Sequence, residues 1–365
     1  MNDGTHGSSA ARCVGMMLPL LLALPLSAQD HADGTTASTS AVSQEVQFGA
    51  GNVMLAGLIR LPASPPPHPA VVLLAGSLPR AKADEGLAAV AAAFVARGFA
   101  VLTTDSRGTG ASQGQFDIAS LELLADDAMA AASVLRRRPD VRAEAVGFWG
   151  VSQGASWVGP LAAKRAGAAF LIAVSGPLVS PETHVHRFLA GRLRSAQGLD
   201  DAIIAQVTDA RRVVWNYYAT GKGYEAAHAA VEALRKEPWF ASSGLSPTVT
   251  VPSELEGLPG PTRTFLAQKD FDPLAAIEQL TCPLLAVYGA EDAQLPVADH
   301  VETLRALGRR PEARITVELL QGLDHDLRPE PGAMRRPVAE DPYAMMARWA
   351  ATRVTASGRR AAEGL

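Results

Sequence analysis

The sequence predicts an α/β fold with a mostly parallel central sheet, helices on both faces and an inserted helical cap. Three observations predict it. Short, near-continuously apolar runs recur along the chain, as strands buried on both faces require. Helical stretches alternate with them, the order that parallel strands and their crossovers need. One long segment, residues 178–272, breaks the alternation with helical patterns and no clear strand.

In chain order, the first element is a leader. Arg12 precedes the apolar run VGMMLPLLLALPLSA at 14–28, which is short for a bilayer and is interrupted by Pro19 and Pro25. Small residues Ser27 and Ala28 follow, then the polar stretch QDHADGTTASTS. Residues 1–28 therefore read as a signal peptide cut near Ala28, giving a secreted or periplasmic chain with no stable membrane insertion after cleavage. Leu26 stands where a small residue is expected before the cut, so the scissile bond stays open. Cys13 follows Ala10, Ala11 and Arg12, which is not a lipobox, and it leaves with the leader. Cys282 is then alone, so no intrachain disulfide can form. Residues 29–43 are small and polar and read as a disordered linker.

The folded part is expected over 44–177 and 273–365. It opens with a hairpin, QEVQFG and VMLAGLIRLP, around Gly49-Ala50-Gly51-Asn52. Buried strands are then expected at AVVLLAG (70–76), AVLTTD (100–105), AVGFWG (145–150), FLIAVSG (170–176), PLLAVYG (283–289) and RITVELL (314–320). Helices are expected at 84–98 and 119–138, the latter placing Leu121, Leu124, Ala128, Ala131 and Leu135 on one face. A last helix should begin at Asp341, with Pro342 in its first turn. The insertion at 178–272, about 95 residues, is far longer than a loop needs. It holds Trp215, Tyr217, Tyr218, Tyr224, Trp239 and Phe240, either as an apolar lid or as the insertion's own core.

Composition excludes several classes. Of 365 residues, 48% are hydrophobic and 19% charged, which supplies a core rather than a disordered chain. The net charge of −4 and the absence of a basic patch argue against nucleic acid as a partner. Oligomeric state is not encoded in any pattern we find.

The chemistry centres on AVGFWGVSQGASW, residues 145–157. Ser152 lies between Gly150 and Gly154, where a buried strand gives way to a helix. A serine hydroxyl is a weak nucleophile until a base removes its proton. On a sharp strand–turn–helix elbow its oxygen projects from the carboxyl edge of the sheet, and the flanking glycines relieve the crowding. The base should come later in the chain, with an acid between. His325, in LLQGLDHDL, follows a strand end at that edge, whereas His6, His31, His68, His228 and His300 lie in the leader, linker, proline stretch or helices. His184 and His186 form a His-x-His that reads as a solvated loop rather than a metal pair. Asp292, in LLAVYGAEDAQLP, is the favoured acid over its neighbour Glu291. Asp324 and Asp326 flank His325 and are expected to act locally on the turn or on the imidazole. The oxyanion needs backbone donors, here the N–H groups of Gln153 and of Ser77 in the loop after 70–76. Pro79 has no N–H to give.

These residues resemble the α/β-hydrolase superfamily over about 44–356, and most resemble secreted bacterial serine esterases related to the serine aminopeptidase group. The loop TTDSRGTGASQG is similar to the family's Asp-x-Arg-Gly-x-Gly-x-Ser, through Asp105, Arg107, Gly108, Gly110 and Ser112. The acid turn after FDPLAAIEQLTC and the GLDHDL segment resemble the return from the cap and the Gly-Leu-Asn-His loop. The resemblance implies a serine hydrolase that cleaves acyl esters with Ser152, His325 and Asp292 and needs no metal or organic cofactor. Val151 stands where such esterases carry His, and Gly76-Ser77-Leu78-Pro79-Arg80 lacks the acidic–basic pair of the usual oxyanion loop. Aminopeptidase and thioesterase activities fit the same triad, though thioesters are uncommon outside the cytoplasm. A catalytically inactive binding protein on the same fold is the alternative of another class.

Overall fold

A computed structural model describes residues 42–240, 251–329 and 341–363. The expected leader, and the linker up to residue 41, lie outside the described residues. Val42 and Ser43, assigned to the linker from sequence, belong instead to the first strand, whose pairing with its neighbour runs to Val42↔Leu61.

The chain forms β1 (Val42–Ala50), β2 (Val53–Leu61), β3 (His68–Leu74), α1 (Glu85–Ala96), β4 (Ala100–Thr104), α2 (Leu121–Arg136), β5 (Val141–Val151), α3 (Gly159–Ala166) and β6 (Leu171–Val174). It continues through α4 (Pro181–Gln197), α5 (Asp201–Thr220), α6 (Tyr224–Arg235), α7 (Gly260–Gln268), α8 (Pro273–Glu278), β7 (Leu284–Gly289), α9 (Val297–Gly308), β8 (Ile315–Leu320) and α10 (Pro342–Glu363). The strands lie in the order β1-β2-β4-β3-β5-β6-β7-β8. β1 and β2 are antiparallel to their neighbours, and all other pairings are parallel. The hairpin is tighter than expected. Ala50 pairs with Val53, so only Gly51 and Asn52 turn, with Gly51 at φ 60.

The alternation of side chains builds two cores. Val72, Leu102, Phe148, Leu171 and Leu284 face the layer holding α2, α3 and α9. Val71, Val101, Trp149, Ile172 and Leu285 face α1 and α10. Both faces are covered, which is why these strands carry no polar alternation. Helix starts follow local chemistry: Asp84 accepts the Leu87 N–H, Ser120 the Leu123 N–H, and Asp272 the N–H groups of Leu274 and Ala275.

Val185–Lys269 forms a compact unit of its own, within the 178–272 expected from sequence. The chain passes from the sheet-bearing unit into it within α4. Its described residues are helical or irregular, and its aromatics are largely its own core. Trp215, Tyr217 and Tyr218 are buried with Val214, Val231 and Leu258, and Phe240 is buried with Leu189 and Val207. Arg211 lies over the Trp215 ring, 4.1 Å from its centroid, and the Tyr217 hydroxyl donates to the carbonyls of Pro252 and Ser253. The His-x-His pair is not in a loop: both residues lie on α4, where i and i+2 share no face. His184 meets the edge of Trp157, and His186 packs on Trp215. Among the described residues no helix is long and apolar enough to cross a membrane.

Candidate active site

Because β3, β5, β7 and β8 run parallel, the loops that follow them emerge at one sheet edge. Ser77, Ser152, Gln153, Asp292 and His325 lie just beyond these strands, Gly150 lies near the end of β5, and Gly154 opens the turn that follows.

Ser152 follows β5 with φ 52, a left-handed conformation rare for a residue with a Cβ. Its N–H still bonds the Val174 carbonyl of β6 at 2.9 Å, so the ladder holds the strained residue in place. The glycines are explained by what a Cβ would meet. At Gly150 it would stand 2.2 Å from the Gly154 carbonyl oxygen, and at Gly154 2.3 Å from that of Ala75. Gln153 opens the next segment, but Gly154–Val158 is a π-helical turn rather than α-helix. The Gly159 N–H reaches back to the Gly154 carbonyl, and Pro160 has no N–H for an ordinary ladder.

Ser77 lies beyond β3. A Cβ at Gly76 would be 3.4 Å from the Ser152 Cβ, so this loop runs directly beside the Ser152 turn. Among the described residues, neither the Ser77 nor the Gln153 N–H has an acceptor within the fold, leaving both donors available.

Asp292 and His325 are brought together. His325 Nδ1 lies 2.7 Å from Asp292 Oδ2, and both residues are buried. Asp292 Oδ1 accepts the Gln294 N–H at 2.8 Å, which fixes the carboxylate plane. The two loops are joined through their backbones: Ala290 N–H donates to Leu320 O and Glu291 N–H to Leu323 O, each at 2.9 Å. A Cβ at Gly289 would lie 2.2 Å from the Asp324 carbonyl oxygen, so glycine is needed where they touch. Glu291 is exposed, whereas its neighbour Asp292 is buried against the imidazole. Asp324 acts locally, as expected. Its Oδ1 accepts the N–H groups of Asp326 and Arg328 and closes the turn that carries His325. Among the described residues, the Ser152 hydroxyl has no hydrogen bond.

Sequence reasoning missed part of the surroundings. Ser175, the neighbour of Ser152 across the β5–β6 ladder, is also left-handed, at φ 48, and fully buried. The loop after β4 is tied to the Ser77 loop through Asp105 and Ser106. Arg107 of that loop makes a two-pronged pair with Asp127 of α2, at 2.6 Å for each bond. Burial raises the Asp127 pKa, and the guanidinium acts against that rise. Ser106 carries no motif signal, and its partners lie tens of residues away in sequence.

The sequence profile described as X-Pro dipeptidyl-peptidase (S15 family) matches residues 49–322. A search of curated proteins finds no match. Among solved structures, the chain is similar to hypothetical protein PA2218 from Pseudomonas aeruginosa, with a TM-score of 0.53 and 18% identity over 90% of this chain and 99% of that one. It is similar to proline iminopeptidase of Mycobacterium smegmatis, with a TM-score of 0.52 and 18% identity over 86% of this chain and 100% of the other. It is also similar to Est1E of Butyrivibrio proteoclasticus, solved with ferulic acid, with a TM-score of 0.50 and 16% identity over 84% and 96%. At these identities the likeness is one of fold.

Proposed function

Since the chain belongs to the S15 family of α/β-hydrolases, we propose that it is a serine hydrolase that cleaves small-molecule carboxylic esters through an acyl-enzyme on Ser152. The observation that carries this reading is the buried His325–Asp292 pair, 2.7 Å apart, at the sheet edge that also presents the strained Ser152. His325 takes the Ser152 proton as the oxygen attacks the acyl carbonyl, and Asp292 holds the ring and stabilises its charged form. The N–H groups of Ser77 and Gln153 receive the negative oxygen. The imidazolium then gives its proton to the leaving alcohol. Water, deprotonated by the same imidazole, attacks the acyl-enzyme and releases the acid and free Ser152.

A second reading is favoured by the family description: a peptidase acting on Xaa-Pro substrates. It uses the same triad and oxyanion donors, and differs in needing a group that grips a free amine. Both readings are tested together by p-nitrophenyl esters of varied acyl length alongside a Xaa-Pro p-nitroanilide. We expect ester turnover to exceed anilide turnover, and Ser152→Ala to lose at least about 10⁴-fold in kcat. Equal ester rates in wild type and Ser152→Ala would overturn the assignment. Anilide turnover above ester turnover would select the peptidase. An inactive binding protein would leave Ser152 unlabelled by a fluorophosphonate probe. We further propose that residues 1–28 direct the enzyme out of the cytoplasm. The check is the mature N-terminus, expected at or near Gln29.

A further inference from the structure

The loop Gly76-Ser77-Leu78-Pro79-Arg80 lacks the acidic–basic pair that the resemblance leads one to expect, so something else must hold it. Packing does not. Ala75 and Gly76 border a cavity of about 60 Å³, and Leu78 is 40% exposed. Hydrogen bonds from the loop after β4 take its place. Ser106 N–H donates to the Arg80 carbonyl at 2.8 Å, and Arg80 N–H donates back to Ser106 Oγ at 3.0 Å. Two residues further on, the Lys82 N–H donates to Asp105 Oδ1 at 2.7 Å, and Thr103 Oγ1 donates to the Lys82 carbonyl at 2.7 Å.

These supports are not equivalent. Asp105 is buried and also accepts the Ala111 N–H, and a Cβ at Gly110 would stand 2.4 Å from its carboxylate. It anchors its own loop as well as the neighbouring one. Ser106 is only half-buried, and its hydroxyl serves Arg80 alone among the described residues. Arg80 lies three residues beyond Ser77, on a segment whose far end is pinned at Lys82. Its guanidinium also pairs with Asp84, at the start of α1.

We propose that Ser106 is a positioning residue for the oxyanion site: its reciprocal bonds with Arg80 set where the Ser77 N–H stands relative to Ser152. The inference rests on the serine-hydrolase reading above. An oxyanion donor acts only if it is already in place when charge develops, so a small displacement costs rate rather than ground-state binding. Removing the Ser106 hydroxyl frees the Arg80 N–H and lets the cavity-backed loop shift.

The test uses the full chain with Ser106→Ala and Ser106→Thr, p-nitrophenyl acetate as substrate, and a fluorophosphonate probe to count reactive Ser152. Per titrated site, Ser106→Ala is expected to lower kcat about tenfold with KM within about twofold. Ser106→Thr, which keeps the hydroxyl, should retain most of the rate. A role in stability alone would reduce the number of titrated sites and leave the rate per site unchanged, and that result overturns the proposal. Equal losses in the alanine and threonine variants also overturn it. If the wild type neither hydrolyses the ester nor takes up the probe, the hydrolase reading fails and this inference falls with it. An active wild type beside an unimpaired Ser106→Ala defeats the inference alone.

Discussion

The Ser152 turn after β5 and the Ser77 loop after β3 run side by side, yet different forces hold them. Steric exclusion shapes the first. Gly150 and Gly154 stand where carbonyl oxygens leave no room for a Cβ, and the β6 ladder locks Ser152 at a positive φ. Hydrogen bonds from another loop shape the second, over a small cavity and with an exposed leucine at its tip. A turn set by hard contacts has one conformation or none. A turn set by hydrogen bonds can shift by fractions of an ångström and still fold. The difference makes the geometry of the Ser77 loop more easily retuned than that of the Ser152 turn.

Variants can break this contrast or sharpen it. Asp292→Asn should give the largest catalytic effect without touching either turn. The amide presents the wrong partner to His325 Nδ1, and kcat should fall by about 10³- to 10⁴-fold with the melting temperature nearly unchanged. Gly154→Ala attacks both turns, because its Cβ would press on the Ala75 carbonyl. We expect a loss of about 3 kcal/mol or more in chemical denaturation, with activity lost in parallel. A folded, active Gly154→Ala would show that the elbow is not sterically determined.

Further from the site, Arg107→Met strips a guanidinium from Asp127 and should cost about 3 kcal/mol. The double variant Arg107→Met/Asp127→Leu should recover most of it, because the unpaired buried carboxylate is the main penalty. Smaller still is the pH dependence carried by His68, whose pKa burial lowers, with Asp140 acting the other way. The unfolded chain takes up this proton first as pH falls. The contribution is therefore complete above about 6.5 and is lost as pH drops below that toward the folded value. His68→Gln should flatten this part of the stability profile. Cys282, buried and with its thiol pushed up to about 11, should resist iodoacetamide at pH 8 until the protein unfolds.

Much of the sheet was legible because its inner parallel strands are buried on both faces and so appear as uninterrupted apolar runs. Val71 and Val72, or Leu284 and Leu285, go to opposite cores, yet both members of each pair must be apolar. Ser152 and Asp292 stand out in the sequence because each closely follows a buried apolar run, whereas His325 lies five residues beyond the half-buried β8. The supporting contacts were not. Ser106 and Arg80 are 26 residues apart, and nothing local marks either one. The His-x-His pair misled because it was read as a loop at the start of the insertion, whereas Pro181 opens α4 in the first turn, where its missing N–H costs nothing. The π-helical turn at Gly154–Val158 escaped notice because it depends on how Pro160 disrupts a ladder, not on any composition signal.

The left-handed backbone at Ser152 has a consequence for inactive variants. Alanine there would keep the steric conflict and lose the hydroxyl, whereas glycine would relieve it, by about 1 kcal/mol. The stablest version of this chain at position 152 should therefore be an inactive one. Comparing Ser152→Ala with Ser152→Gly in chemical denaturation checks this: the glycine variant should be the more stable of the two, by about 1 kcal/mol.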